Sequence, residues 1–133
     1  MPEARADLRP ILRNATPAQL FAAVEEAWSS GDADGLADLV DTTSVRIGLK
    51  PGGSPTAAMT RSAAAFLFQD QFRLVTTQSF QLLRMTTDTG ATTASARWIG
   101  DWGGSQGMRR LKVSLEAIYV GGRWYLREVR VKS

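Results

Sequence analysis

Neither cysteine nor histidine occurs anywhere in these 133 residues, and each absence closes off a body of chemistry. Without cysteine there is no disulfide, no thiolate nucleophile and no thiolate zinc site, and the redox compartment leaves no trace in the sequence. Without histidine the chain lacks the usual general base near neutral pH and the commonest metal ligand. No apolar run approaches the ~20 residues of a membrane-spanning helix. The opening stretch, Met1 to Arg13, carries charges where a signal peptide needs an apolar segment. The expectation is a chain neither secreted nor anchored, cytoplasmic as it reads, although a protein already trimmed of an export leader would read the same way. Gly103, Gly104 and Gly107 do not follow a strand and open a helix, so they form no phosphate-binding loop. Asp32, Asp34 and Asp38 lack the spaced ligands and closing glutamate of a calcium loop. Neither a metal nor a cofactor is expected.

What is present fits one domain. At 44% hydrophobic residues the chain can bury a core without covalent staples. Met1 to Ala15 has no sustained period and reads as a flexible arm, leaving 16–133 as the domain. The net charge of +3 is unevenly spread: residues 1–96 hold 8 basic and 10 acidic groups, residues 97–133 hold 8 basic and 3 acidic groups. The basic character therefore belongs to the C-terminal part. It suits an anionic partner, or equally a solvated sheet face on which charge prevents aggregation.

Thr16 is a good N-cap and Pro17 suits the first helical position. Leu20, Phe21, Val24, Ala27 and Trp28 then share one helical stripe. Gly31 ends this helix and Asp32 caps a shorter one bearing Leu36, Leu39 and Val40. Val45, Ile47 and Leu49 alternate as in a half-buried strand. A loop with Pro51, Gly52, Gly53 and Pro55 leads to a third helix from about Arg61 to Val75, with Ala64, Leu67, Phe68, Phe72 and Val75 on its stripe and Phe66 off it. From Ser79 onward the chain reads as an antiparallel meander. It turns at Thr89 and Gly90, through the glycine-rich Trp102 to Gly107, and at Gly121 and Gly122, a strong two-residue hairpin signal.

Setting the register from these turns puts Leu83, Met85, Ala94, Ala96, Trp98, Leu111, Val113, Leu115, Ala117, Tyr119, Trp124 and Leu126 on one face, which three helices can cover. The same parity brings Gln81, Glu128 and Arg130 onto that face, either around a cavity or at its rim. Phe80, Leu82, Ile99, Ile118, Tyr125, Val129 and Val131 are left on the other face. So many large apolar groups predict a partner surface there, most simply a homodimer. Glu116 and Arg127 should form an exposed ion pair across the last hairpin.

The helical pair "LFAAVEEAWSSGDADGLADLV", the strand "SVRIGL", the helix "RSAAAFLFQDQF" and the hairpin "LKVSLEAIYVGGRWYLREVRV" together resemble the nuclear transport factor 2-like superfamily. The chain is most similar to an uncharacterised bacterial branch, a domain of unknown function often made with an export leader. The resemblance covers about Thr16 to Lys132. It implies an α+β cone, a curved antiparallel sheet wrapped around helices, with a cavity inside. Members include isomerases, dehydratases, hydrolases and non-catalytic binding or dimerisation modules. Catalytic members generally bring an aspartate, histidine, tyrosine or arginine into the cone, and a histidine is impossible here.

The expected cavity residues are Gln81, Trp98, Tyr119, Glu128 and Arg130. Glu128, Asp41 and Tyr119 are the candidates for acid-base catalysis, and nothing in their spacing separates them from structural residues. The favoured reading is a non-catalytic domain that binds a small apolar or amphipathic ligand, or a protein, and dimerises through its sheet. An acid-base enzyme and a nucleic-acid or anionic-surface binder are the alternatives. Arg109 and Arg110 near Trp102 mix cation and ring as single strands prefer, but without a shared platform, so nucleic acid is not expected.

Overall fold

The computed structural model describes residues 15–50, 57–88 and 91–132. Most of the expected arm, the loop with Pro51, Gly52, Gly53 and Pro55, and the turn at Thr89 and Gly90 lie outside the described residues.

Helix α1, Pro17–Ser29, starts where its chemistry allows. The Thr16 hydroxyl accepts the Gln19 amide, and proline occupies a position whose amide has no helical partner. Leu20, Phe21, Val24, Ala27 and Trp28 are buried along the expected stripe. Asp32 accepts the Gly35 amide at 2.9 Å and caps α2, Ala33–Ala37. After β1, Arg46–Gly48, Thr60 caps α3, Arg61–Leu74, whose buried side chains are Ala64 and Phe68. Phe66 is 67% exposed, off the stripe as its phase requires.

Four long strands follow: β2 (Thr76–Asp88), β3 (Ala91–Asp101), β4 (Met108–Val120) and β5 (Arg123–Lys132). The sheet order is β1-β5-β4-β3-β2. β2 to β5 are antiparallel, but β1 lies parallel to β5, so the sheet is mixed rather than purely antiparallel. Leu39 to Asp41 extends that edge: the Leu126 amide donates to the Leu39 carbonyl at 2.7 Å, and the Asp41 amide donates to Leu126 at 2.8 Å. At the β4–β5 turn Gly121 and Gly122 have φ of 57° and 90°, values that favour glycine over residues with a Cβ.

Three extra residues break the simple alternation. Gln78 and Leu83 in β2, and Arg127 in β5, are skipped in the pairing with the neighbouring strand, each a bulge that reverses the parity beyond it. Near the turns the expected pairs hold: Met85 with Ala94, Tyr119 with Trp124, Ala117 with Leu126. The unbulged β3–β4 pairing also matches, with Trp98 opposite Leu111 and Ala96 opposite Val113. Beyond Leu83, however, it is Leu82 that faces Ala96 and Phe80 that faces Trp98. Beyond Arg127, Val129 faces Leu115 and Val131 faces Val113.

The helices cover one face of this sheet, with α1 packed on β2 and β5 and α3 on α2 and β2. Trp28 sits at the centre of the interior. It stacks on Phe80 at 4.5 Å between ring centroids and meets Trp98, Phe72 and Phe68 edge-on at 5.1, 5.9 and 6.1 Å. Gly100 lets the end of β3 close on this cluster, because a Cβ there would lie 2.6 Å from Val75 Cγ2 and 2.9 Å from Trp102 Cζ3. Leu115, 1% exposed, lies on the inward face of β4. Leu115→Ala should cost about 2 to 5 kcal/mol in urea unfolding, and a loss within error would contradict its placement in the core.

Candidate functional site

The bulge at Arg127 decides the fate of the expected cavity. Leu126 points inward, Arg127 takes the extra position, and Val129 and Val131 turn inward with no exposure. Glu128 and Arg130 consequently leave the interior. Glu128 pairs with Arg46 at 3.7 Å, and Arg130 lies on the outer face opposite Ser114. Gln81 is outside as well: its Oε1 accepts a hydrogen bond from Arg97 Nη2 at 2.8 Å. Trp98 is fully buried in the aromatic cluster, its Nε1 donating to Thr77 Oγ1 at 3.0 Å. Tyr119 is 56% exposed near the hairpin turn, tilted against Trp124. The five expected cavity residues therefore do not converge, and aromatic rings occupy the space between α1, α3 and the sheet.

The catalytic candidates are equally separated. Asp41 is nearly buried, and its Oδ1 accepts both the amide and the hydroxyl of Thr43 at 3.2 Å, a local turn that uses the carboxylate. Glu128 and Tyr119 stand on different elements with the partners just given. Among the described residues no group of three or more acidic side chains could hold a metal. No helix among them is long and apolar enough to cross a membrane.

The expected partner face is also corrected. Phe80, Val129 and Val131 are core residues, and Leu82 is half-buried against the core, because each lies beyond a bulge. Only Ile99, Ile118 and Tyr125 remain on the outer face, all half-buried. The expected ion pair does form: Arg127 Nε donates to Glu116 Oε2 at 2.7 Å, although the bulge makes Glu128 the backbone partner of Glu116. Arg109 and Arg110 part company. Arg109 lies over the Trp102 ring at 5.7 Å, while Arg110 faces outward beside Ile99.

What the bulges open instead is a pair of recesses around the β2 edge. Ser29 Oγ donates to the Phe80 carbonyl at 3.3 Å, and the Leu82 amide donates to Glu25 Oε2 at 2.8 Å. Two side chains one helical turn apart on α1 thus cover the middle of this edge strand. Past Leu82 the covering stops, leaving Leu83 and Met85 51% and 47% exposed. On the helix side, Ala18 and Phe21 of α1 and Leu82 to Met85 of β2 enclose about 260 Å³ above Ala94. On the outer side, Leu83, Arg97, Arg110 and Lys112 line about 250 Å³ over the backbone of Ala96 and Leu111. A third hollow of about 390 Å³ lies between Gly31, Ala33 and α3. The signal for the first two was the doublet Leu82-Leu83, which a strictly alternating strand does not contain.

No protein-family model matches the chain. No curated protein matches it either. Solved structures do. A DUF4783 family protein of Bacteroides ovatus superposes with a TM-score of 0.70 at 14% identity over 84% of this chain and 93% of its own. A Catenulispora acidiphila protein with a ketosteroid isomerase-like fold, solved with trimethylamine, gives 0.69 at 11% identity over 89% and 87%. A Caulobacter vibrioides protein with a cystatin-like fold gives 0.63 at 16% identity over 85% and 83%. The fold is thus that of the nuclear transport factor 2-like, cystatin-like cone.

The bulge account has a direct test. Val129→Asp would place a carboxylate against Leu115 in the core, whereas in an unbulged strand the same residue would face water. Burying an unpaired charge takes a large share of a domain's net stability of about 5 to 15 kcal/mol. Urea unfolding should show a large loss of stability or a chain already unfolded, and a Val129→Asp variant with an unchanged midpoint would contradict the register.

Proposed function

We propose that this chain is a non-catalytic binding domain that holds a small amphipathic ligand in the groove between α1 and the bulged part of β2. The observation that carries the reading is the groove itself, whose walls are apolar except for Arg84. Large apolar side chains left in water around a concave surface mark a binding site more often than an accident of packing. Leu83 and Met85 stand at such a surface, beside an edge that α1 leaves uncovered. Its volume suits the tail of a compact ligand, and Arg84 at the wall suits an acidic head.

The non-catalytic part of the reading is supported by how the ionisable side chains are used. Glu128, Asp41 and Tyr119 are apart from one another, and none lines the groove. A general acid or base must lie within hydrogen-bond reach of its substrate, and these three do not face the groove.

Anilinonaphthalene sulfonate, an apolar ring system with an acidic head, is a suitable probe. Saturable fluorescence enhancement is expected with the folded protein. Ala18→Phe, which fills the groove from its exposed rim, and Met85→Asp, which places a charge in its wall, should each weaken binding about tenfold or more, equivalent to about 1.4 kcal/mol. Both residues are exposed, so the variants should keep their urea midpoints. Binding that neither substitution alters, or no binding by the native protein, would overturn the reading.

A further inference from the structure

The outer face of the sheet gathers cations that the chain order keeps apart. Arg97, Lys112 and Lys132 occupy one continuous row across β3, β4 and β5. Arg110 lies two residues along β4 from Lys112 beside Ile99, and Arg130 lies two residues along β5 from Lys132 beside Ser114. Strands in a sheet are about 4.8 Å apart, so side chains in such a row are close neighbours, and like charges directly opposite are destabilising. No carboxylate stands in these rows. The nearest ones on the outer face, Glu116 and Glu128, are engaged by Arg127 and Arg46. Among the described residues none of the five cations belongs to an ion pair.

The recess lined by Arg97, Arg110 and Lys112 lies within this array, with Leu83 as its apolar wall. Gln81 holds Arg97 in place through one guanidinium nitrogen, while Arg97 Nε is buried without an acceptor. An oxyanion in the recess would meet a guanidinium already held in place, without the cost of ordering it first.

We propose that this recess binds the phosphate group of a small organic phosphate. Two guanidinium forks and an ammonium supply three positive charges, which a dianionic phosphate takes up more fully than a single carboxylate. Leu83 would contact the organic part. A recess of about 250 Å³ has room for a small organic phosphate. The cationic rows contain no aromatic ring on which a nucleic-acid base could stack, which separates the site from single-strand platforms. This site is distinct from the apolar groove, and its test does not depend on that reading.

Calorimetric titration with pyrophosphate, at constant ionic strength set by chloride, tests the proposal. Saturable binding at one site is expected. Arg97→Gln and Lys112→Gln should each weaken it at least tenfold, Lys112→Arg should retain it, and Arg123→Gln, at the hairpin turn, should leave it unchanged. Ala18→Phe should leave it unchanged too, even if that variant abolishes binding of the apolar probe. Circular dichroism confirms that each variant folds, and the charge-retaining Lys112→Arg separates lost charge from lost structure. Absence of saturable binding, or equal weakening by Arg123→Gln, would overturn the proposal. So would binding of duplex DNA or of anionic phosphatidylserine vesicles that pyrophosphate does not compete for, because the cations would then serve a polymer or a lipid surface.

Discussion

The stacking of Trp28 on Phe80 organises the interior, and it depends on Leu83 bulging out of the pairing between β2 and β3. Trp28 touches four aromatic rings from α3, β2 and β3, so it ties both helical and sheet layers to one point. Aromatic pairs contribute about 0.5 to 1.5 kcal/mol each beyond the burial of their area. Against this stands the Trp28 indole N–H, buried without an acceptor, at a cost of about 1 to 3 kcal/mol. Several ring contacts plus complete burial outweigh one unmet donor. Without the bulge at Leu83, Phe80 would face water and the cluster would lose its stacked member.

The legibility of the sequence followed distance from local signals. Caps and stripes were readable because they depend on residues within one or two turns: Thr16 with Pro17, Asp32, and the spacing of Leu20, Phe21, Val24 and Trp28 all specify local geometry. Hairpin register was readable near Gly121 and Gly122 for the same reason. It then failed past Arg127 and past Leu83, since one inserted residue reverses every later side chain in the strand. Adjacent charges in "LREV" and adjacent apolar residues in "FQLLRM" are the visible marks of those insertions. Periodicity alone does not say which member of the pair is extra. That choice is made by tertiary packing, which places Val129 and Val131 rather than Glu128 and Arg130 against Leu115 and Val113.

The same two bulges relocate the candidate chemistry. A cone whose rings meet at its centre has little room for the cavity that the family resemblance implied, and the polar residues assigned to that cavity lie on the surface or, like Trp98, within the packed core. Binding then falls to the rim and outer face, where the β2 edge is partly covered by Ser29 and Glu25 and partly open. Leu83 lines recesses on both sides of that edge. Its exposure follows from the bulge, and with Leu83 in the chain that bulge is needed to seat Phe80 opposite Trp98. Core packing and surface recess are therefore two results of one constraint.

Self-association through the outer face looks different once parity is corrected. With Phe80, Val129 and Val131 in the core and Leu82 turned toward it, Ile99, Ile118 and Tyr125 remain of the expected patch, joined by the exposed Leu83 and Val120. An isologous dimer applies one patch to its own copy, so Arg97, Lys112 and Lys132 would approach a second array of the same sign. Charge in an interface is tolerated when its partner carries the opposite sign, and juxtaposed like charges cost several kcal/mol. These few apolar side chains are a weak counterweight to that repulsion. An anion between the copies could reverse the sign of the interaction, which makes occupancy of the cationic recess and pairing of the outer faces thermodynamically linked: whatever anion neutralises the row Arg97, Lys112 and Lys132 also removes the main electrostatic obstacle to a dimer.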